Sequence, residues 1–104
     1  HQLVDSSLLS KMKKTSFLIN TSRGKIVNEN DLIMYLQQNK IQGAGLDVFE
    51  KEPINKKNKL TKLENTVLAP HIGSSTDETR YEMTEIAIKN LILGLNAKIL
   101  VYSV

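Results

Sequence analysis

The chain has no cysteine and no tryptophan, and only two prolines and 5% aromatic residues among its 104 positions. Without cysteine it can form no disulfide and offer no thiolate to a metal, so its stability must come from burial and hydrogen bonding; no metal site is expected. The same absence agrees with a reducing compartment, and a cytoplasmic location is the expectation. Few aromatic residues leave a core built mainly from Leu and Ile, and the hydrophobic fraction of 40% is that of a globular protein. Long apolar runs are also missing. The longest, residues 91–95, is far short of the roughly 20 residues that cross a bilayer, so no membrane association is expected.

Charge of one sign is not concentrated either. Fourteen Lys and Arg against eleven Asp and Glu give a net charge of +3, with the cations scattered along the chain. The densest basic segment, residues 51–62, is interleaved with Glu52, Asn55 and Asn58 and has no aromatic residues between the lysines. Nucleic-acid binders combine basic grooves with aromatic stacking platforms, so this segment reads as a solvated loop and no nucleic-acid partner is expected. The sequence opens on His1, Gln2 and Leu3 and reads as a piece of a longer polypeptide.

What is present is an alternation of apolar periods. Asp5, Ser6 and Ser7 can cap a short helix running through Met12. Residues 16–20 form a short strand-type run closed by the polar turn Thr21, Ser22, Arg23, Gly24. A helix follows from about Asn28 to Asn39, capped by Asn28 or Asn30, with Leu32, Ile33 and Leu36 on one buried face. Residues 43–49 and 65–69 read as two further strands, the last stopped by Pro70. From Thr76 a long helix should run to about Leu95, with Met83, Ile86, Ala87, Asn90, Leu91 and Leu95 as its inward stripe. Such alternation predicts an α/β fold, a slab of doubly wound parallel sheet.

Three polar stretches leave the three strands: residues 20–24 (NTSRG), 47–53 (DVFEKEP) and 69–74 (APHIGS). In open parallel sheets ligands sit at the carboxyl ends of the strands, so an Arg, a Glu and a His converge on the ligand edge. A guanidinium can grip a carboxylate with a fixed fork, and a histidine can exchange a proton near neutral pH. Each residue also has a plainer reading: Arg23 as a surface cation, His71 as a structural histidine, Glu52 as a solvated loop acid. Glu50 competes with Glu52, and Asp47 could serve as a turn cap. Gly43-Ala44-Gly45 begins like a G-x-G-x-x-G phosphate loop, but position 48 is Val and the glycines precede a strand, so the fingerprint is rejected.

In order and spacing, residues 18–24 (LINTSRG), 43–53 (GAGLDVFEKEP) and 65–76 (NTVLAPHIGSST) resemble the C-terminal half of the D-isomer-specific 2-hydroxyacid dehydrogenase family. The run after His71 and the ending at residues 90–95 are most similar to its glyoxylate/hydroxypyruvate reductase branch. The resemblance implies a fragment of a Rossmann-like NAD(P)-binding domain: residues 1–75 its second half, and 76–104 a helix and tail that return to a substrate domain. It implies a hydride transfer from NAD or NADP to a small 2-oxo acid, giving a 2-hydroxy acid. Arg23 would bind the substrate carboxylate and carbonyl, His71 would be the general acid, and Glu52 its partner, which resolves Glu52 from Glu50 by family spacing alone. Thr21, Ser22, Arg23, Asp47, His71 and Gly73 would line the nicotinamide side, with Asp47 accepting from the carboxamide. A homodimer is expected for the full-length protein, and an isolated fragment is expected to be inactive, leaving a sheet edge and an apolar helix face unpaired. The choice between NAD and NADP falls to residues outside these 104. Two other readings stay open: a nucleotide-sensing transcriptional co-repressor of the same fold, which would differ after the His, and an inactive structural remnant.

Overall fold

The computed structural model describes residues 2–96, 98 and 99. The chain divides into two compact units, His1–Ile72 and Gly73–Val104.

The first unit is built on three parallel strands, β1 (Phe17–Asn20), β2 (Gly43–Leu46) and β3 (Thr66–Leu68), in the order β1-β2-β3. Phe17 pairs with Gly43 and Asn20 with Leu46, while Ala44 pairs with Thr66 and Leu46 with Leu68. This register sets Leu18, Ala44, Leu46 and Leu68 on one face, where Ala44 and Leu46 are buried with Leu9, Leu32, Leu36 and Leu60, and Leu18 and Leu68 pack half-buried against them. Phe17, Ile19 and Val67 point to the opposite face and are 64%, 66% and 75% exposed. Parallel sheets are ordinarily covered on both faces, so this exposed apolar side is a surface beyond the sheet edge and apolar helix face that were expected to lie unpaired.

Helix α1 (Ser6–Leu9) begins where the Asp5 carboxylate accepts the Leu8 N–H at 3.0 Å. It is shorter than the expected helix through Met12, because the chain turns out of it over Ser10 and Lys11. Helix α2 (Glu29–Gln37) is capped by Asn28, whose Oδ1 accepts the Asp31 N–H at 3.1 Å, and it buries Leu32, Ile33 and Leu36 as the spacing requires. Asn39 closes it with φ 50°, a left-handed position that Asn tolerates; Lys40 N–H donates to Tyr35 O and Asn39 N–H to Leu36 O. That pattern satisfies the last carbonyls and aims the chain into buried Ile41 and then β2.

The sheet departs from the expected alternation between β2 and β3. No α-helix crosses there. Residues 51–62 carry Pro53 and five lysines without apolar periodicity, and they form a loop with one 3-10 turn, Lys59–Lys62, whose Leu60 is fully buried. Strand β2 also ends at Leu46, short of the expected Phe49. The ladder of β3 gives its last bond from Ala69 N–H to Leu46 O, immediately before Pro70.

The second unit is dominated by α3 (Asp77–Leu95), capped by Thr76 through the Thr79 N–H. Its bounds match the sequence reading, but its burial does not. Met83, Ile86, Ala87, Leu91 and Leu95 are exposed and Asn90 is half-buried, so the stripe expected to face inward is uncovered. A lone helix cannot bury its own apolar residues, and Ile88 and Ile92 fall outside that stripe, so the apolar surface extends around the helix.

Candidate active site

The parallel strands deliver all three polar stretches to one end of the sheet. Asn20 ends β1 and the chain continues through exposed Thr21, Ser22 and Arg23; Asp47 follows β2; Ala69, Pro70 and His71 follow β3. Two polar side chains are buried in the core among the described residues, Asn20 and Asp47, each 7% exposed, and both stand at these strand ends. Asp47 N–H donates to Asn20 O at 3.0 Å, tying the two exits together.

Glu52 and His71, nineteen positions apart, meet directly: Nδ1 of His71 lies 2.6 Å from Oε2 of Glu52. An ionised carboxylate can only accept, so Nδ1 carries the hydrogen and Nε2 is left as the ring nitrogen for a substrate. The other carboxylate oxygen, Oε1, accepts the Phe49 N–H at 2.9 Å, which fixes Glu52 to its own loop. Glu50 is occupied elsewhere. Its Oε1 accepts the Glu29 N–H at 3.2 Å and its own N–H donates to Glu29 Oε2 at 3.1 Å, a reciprocal clasp at the start of α2. Asn58 Nδ2 donates to the other Glu29 oxygen. Glu52 is the carboxylate that reaches the histidine, and the clasp is the physical reason that Glu50 does not.

His71 sits at φ 56°, in the left-handed region that β-carbon sterics disfavour by roughly 1–2 kcal/mol. Such a conformation persists where neighbours over-determine it. Pro70 precedes it, Glu52 holds its ring, and Asp47 Oδ1 accepts the Ile72 N–H at 2.8 Å on its other side. Asp47 therefore anchors the histidine loop, a contact that sequence reading did not anticipate. Gly73 opens the second unit.

The hydrogen bond from His71 is the largest influence lowering the Glu52 carboxyl below its ordinary value of 4.5, followed by the Phe49 N–H; the charges of His71 and Arg23 add to it, and partial desolvation opposes them. The structure brings Glu52 and His71 into contact, and Arg23 stands on the loop that leaves β1 at the same end of the sheet. A carboxyl whose pKa is depressed on folding stabilises the native state above its unfolded pKa, and that contribution is lost as pH falls through the folded pKa. Thermal unfolding of the protein and its Glu52→Gln variant across a pH series should therefore show the parent more stable near neutrality, with the gap closing below about pH 4.5. A gap that widens on acidification would contradict the pairing.

An α/β protein with a parallel sheet and an Arg, Glu and His at its carboxyl edge falls in the class of doubly wound nucleotide-fold proteins. Residues 1–73 match the family described as D-isomer specific 2-hydroxyacid dehydrogenase, NAD binding domain, and the chain belongs to that family. It is 48% identical over 99 residues to glyoxylate/hydroxypyruvate reductase B of Cronobacter sakazakii, covering 95% of this chain and 31% of that protein. It is 56% identical over 90 residues to a probable 2-ketogluconate reductase of Dictyostelium discoideum, covering 86% of this chain and 27% of the relative. Among solved structures, NADPH-dependent glyoxylate/hydroxypyruvate reductase from Sinorhizobium meliloti, in complex with NADP and malonate, superposes with a TM-score of 0.89 at 35% identity, over 99% of this chain and 32% of that one. The chain thus spans less than a third of these relatives.

Proposed function

We propose that the protein containing this chain reduces a small 2-oxo acid, such as glyoxylate or hydroxypyruvate, to the 2-hydroxy acid with NADH or NADPH. The observation that carries this reading is the Glu52–His71 pair at 2.6 Å, at the same carboxyl edge of the sheet as the loop that bears Arg23.

Arg23 holds the substrate carboxylate and polarises the adjacent carbonyl, for which its planar, permanently charged fork is suited. His71 gives its Nε2 proton to the carbonyl oxygen and takes it back in the reverse reaction. Glu52 keeps the proton on Nδ1, orients the ring and offsets its positive charge, as a carboxylate does behind other catalytic histidines. The nicotinamide cofactor, when bound, supplies the hydride. The residues that would hold the nicotinamide end of such a cofactor are exposed Thr21 and Ser22 and, by sequence motif, Gly73, with Asp47 bonded to the histidine loop through the Ile72 N–H. The chain does not fit the pyrophosphate, since none of the five glycines forms a phosphate-binding fingerprint. We assign residues 1–75 to the second half of the nucleotide-binding domain and 76–104 to a helix returning to a substrate domain, in a cytoplasmic homodimer that engages no nucleic acid. No helix among the described residues is long and apolar enough to cross a membrane.

The test is oxidation of NADH and NADPH by the purified full-length protein, followed at increasing glyoxylate and hydroxypyruvate. Saturable, oxo-acid-dependent oxidation is expected with at least one cofactor. Nucleotide binding without turnover would favour a sensor of the same fold, and neither binding nor turnover would favour an inactive remnant.

A further inference from the structure

We propose that Asn20 is the positioning residue for Arg23, setting the direction in which the guanidinium meets its substrate; this rests on the reading of the site given above. Asn20 is the last residue of β1 and is 7% exposed. An apolar side chain would suit a core position beside buried Leu46 at least as well, and a buried amide is tolerated only when both of its ends are hydrogen-bonded. Both ends are used, and both on the same short loop. Nδ2 donates to the Arg23 carbonyl at 3.0 Å, and Oδ1 accepts the Ser22 N–H at 3.2 Å.

The loop therefore closes around one side chain, in the manner of an Asx turn. The Arg23 backbone is held extended, at φ −145° and ψ 136°, and Gly24 packs directly against the Phe49–Glu50 peptide on its far side. Arg23 itself has little hold of its own. It is exposed, and its side-chain hydrogen bond runs from Nη1 to the carbonyl of neighbouring Ser22 at 2.8 Å. The direction of the guanidinium thus follows the shape of the loop, and the loop shape follows the Asn20 amide. Aspartate could accept from Ser22 but would have no hydrogen to donate to the Arg23 carbonyl. Alanine would do neither.

The experiment is a double-mutant cycle in the full-length enzyme, comparing Asn20→Ala, Arg23→Ala and the double variant by kcat/KM for glyoxylate. Misplacement of a positioned group by about 1 Å can cost on the order of 100-fold. The expected result is a 10- to 100-fold loss of that order in Asn20→Ala, carried by the oxo-acid KM more than by kcat, and nearly absent when Arg23 is already alanine. Additive losses in the two backgrounds would overturn the role. Asn20→Asp, which preserves shape and one hydrogen bond, keeps the test available if the alanine variant does not fold, and it should give an intermediate KM; a parental KM in a folded Asn20→Asp protein would overturn the need for the donor. Amide hydrogen exchange at Ser22 separates this inference from the functional reading. If the parent enzyme shows no oxo-acid-dependent turnover, the functional reading fails; if Ser22 exchange is unchanged by Asn20→Ala, the positioning claim fails whatever the turnover.

Discussion

Replacing His71 with alanine should lower kcat for oxo-acid reduction by about 10²- to 10⁴-fold at saturating cofactor, the range that loss of a positioned general acid produces. The geometry makes the prediction specific. Glu52 occupies Nδ1, so the ring has one nitrogen for the substrate and no second orientation that keeps the carboxylate bond. Arg23 remains to bind the oxo acid, so KM should move far less than kcat, and cofactor affinity should be nearly parental. The backbone adds a control. His71 lies at φ 56°, which asparagine adopts more readily than alanine or histidine, so His71→Asn should match the loss of turnover while unfolding at a temperature equal to or above that of the alanine variant. Steady-state kinetics with both variants decides the matter. Turnover near the parental level in either would remove His71 from the acid role.

The parts of this site that were legible in the sequence are those governed by neighbours. An apolar run followed by a polar turn is a strand exit, so sequence pattern alone places Arg23, Asp47 and His71 at one edge. The cap of α2 and its exit at Asn39 are likewise local chemistry. The rest depends on contacts between distant residues. Glu50 and Glu52 are indistinguishable by type; what separates them is Glu29, twenty-one residues before Glu50, which engages Glu50 and leaves Glu52 to the histidine. The Asp47 anchor on Ile72 spans twenty-five positions and leaves no periodic trace. Asn20 did carry a signal, an Asn with a Ser two residues later at a strand end, which is Asx-turn chemistry that the motif as a whole obscured. The two 3-10 turns, Gly24–Ile26 and Lys59–Lys62, are too short to impose a pattern. For α3 the apolar residues were visible, but hydrophobicity reports a demand for cover and does not supply one.

Gly24→Ala should be the most destabilising small substitution in the first unit, because a β-carbon there would stand 1.9 Å from both the carbonyl carbon and the oxygen of Phe49 and 2.6 Å from the Glu50 nitrogen. All three atoms are backbone, so no rotamer change relieves the overlap. Either the loop after β1 or the loop bearing Glu52 must move. Overpacking a well-filled site typically costs about 1–3 kcal/mol and sometimes more; a clash with a fixed peptide belongs at or above the upper end, or a fall in Tm of more than about 10 °C for a unit of this size. Gly45 provides the contrast. Its added β-carbon would meet only the Ile19 Cδ1 atom at 2.9 Å, the far end of a flexible side chain on the exposed face, so Gly45→Ala should change Tm by much less. The same contact has a functional consequence, since Gly24 follows Arg23 and the peptide it touches precedes Glu52 by two residues. Whatever fraction of Gly24→Ala folds should hold Arg23 displaced from the Glu52–His71 pair and bind the oxo acid weakly. Thermal unfolding of the two glycine variants, with oxo-acid KM measured on the soluble fraction, tests both halves, and a Gly24→Ala protein as stable as Gly45→Ala would show that the two loops are not packed backbone against backbone as described.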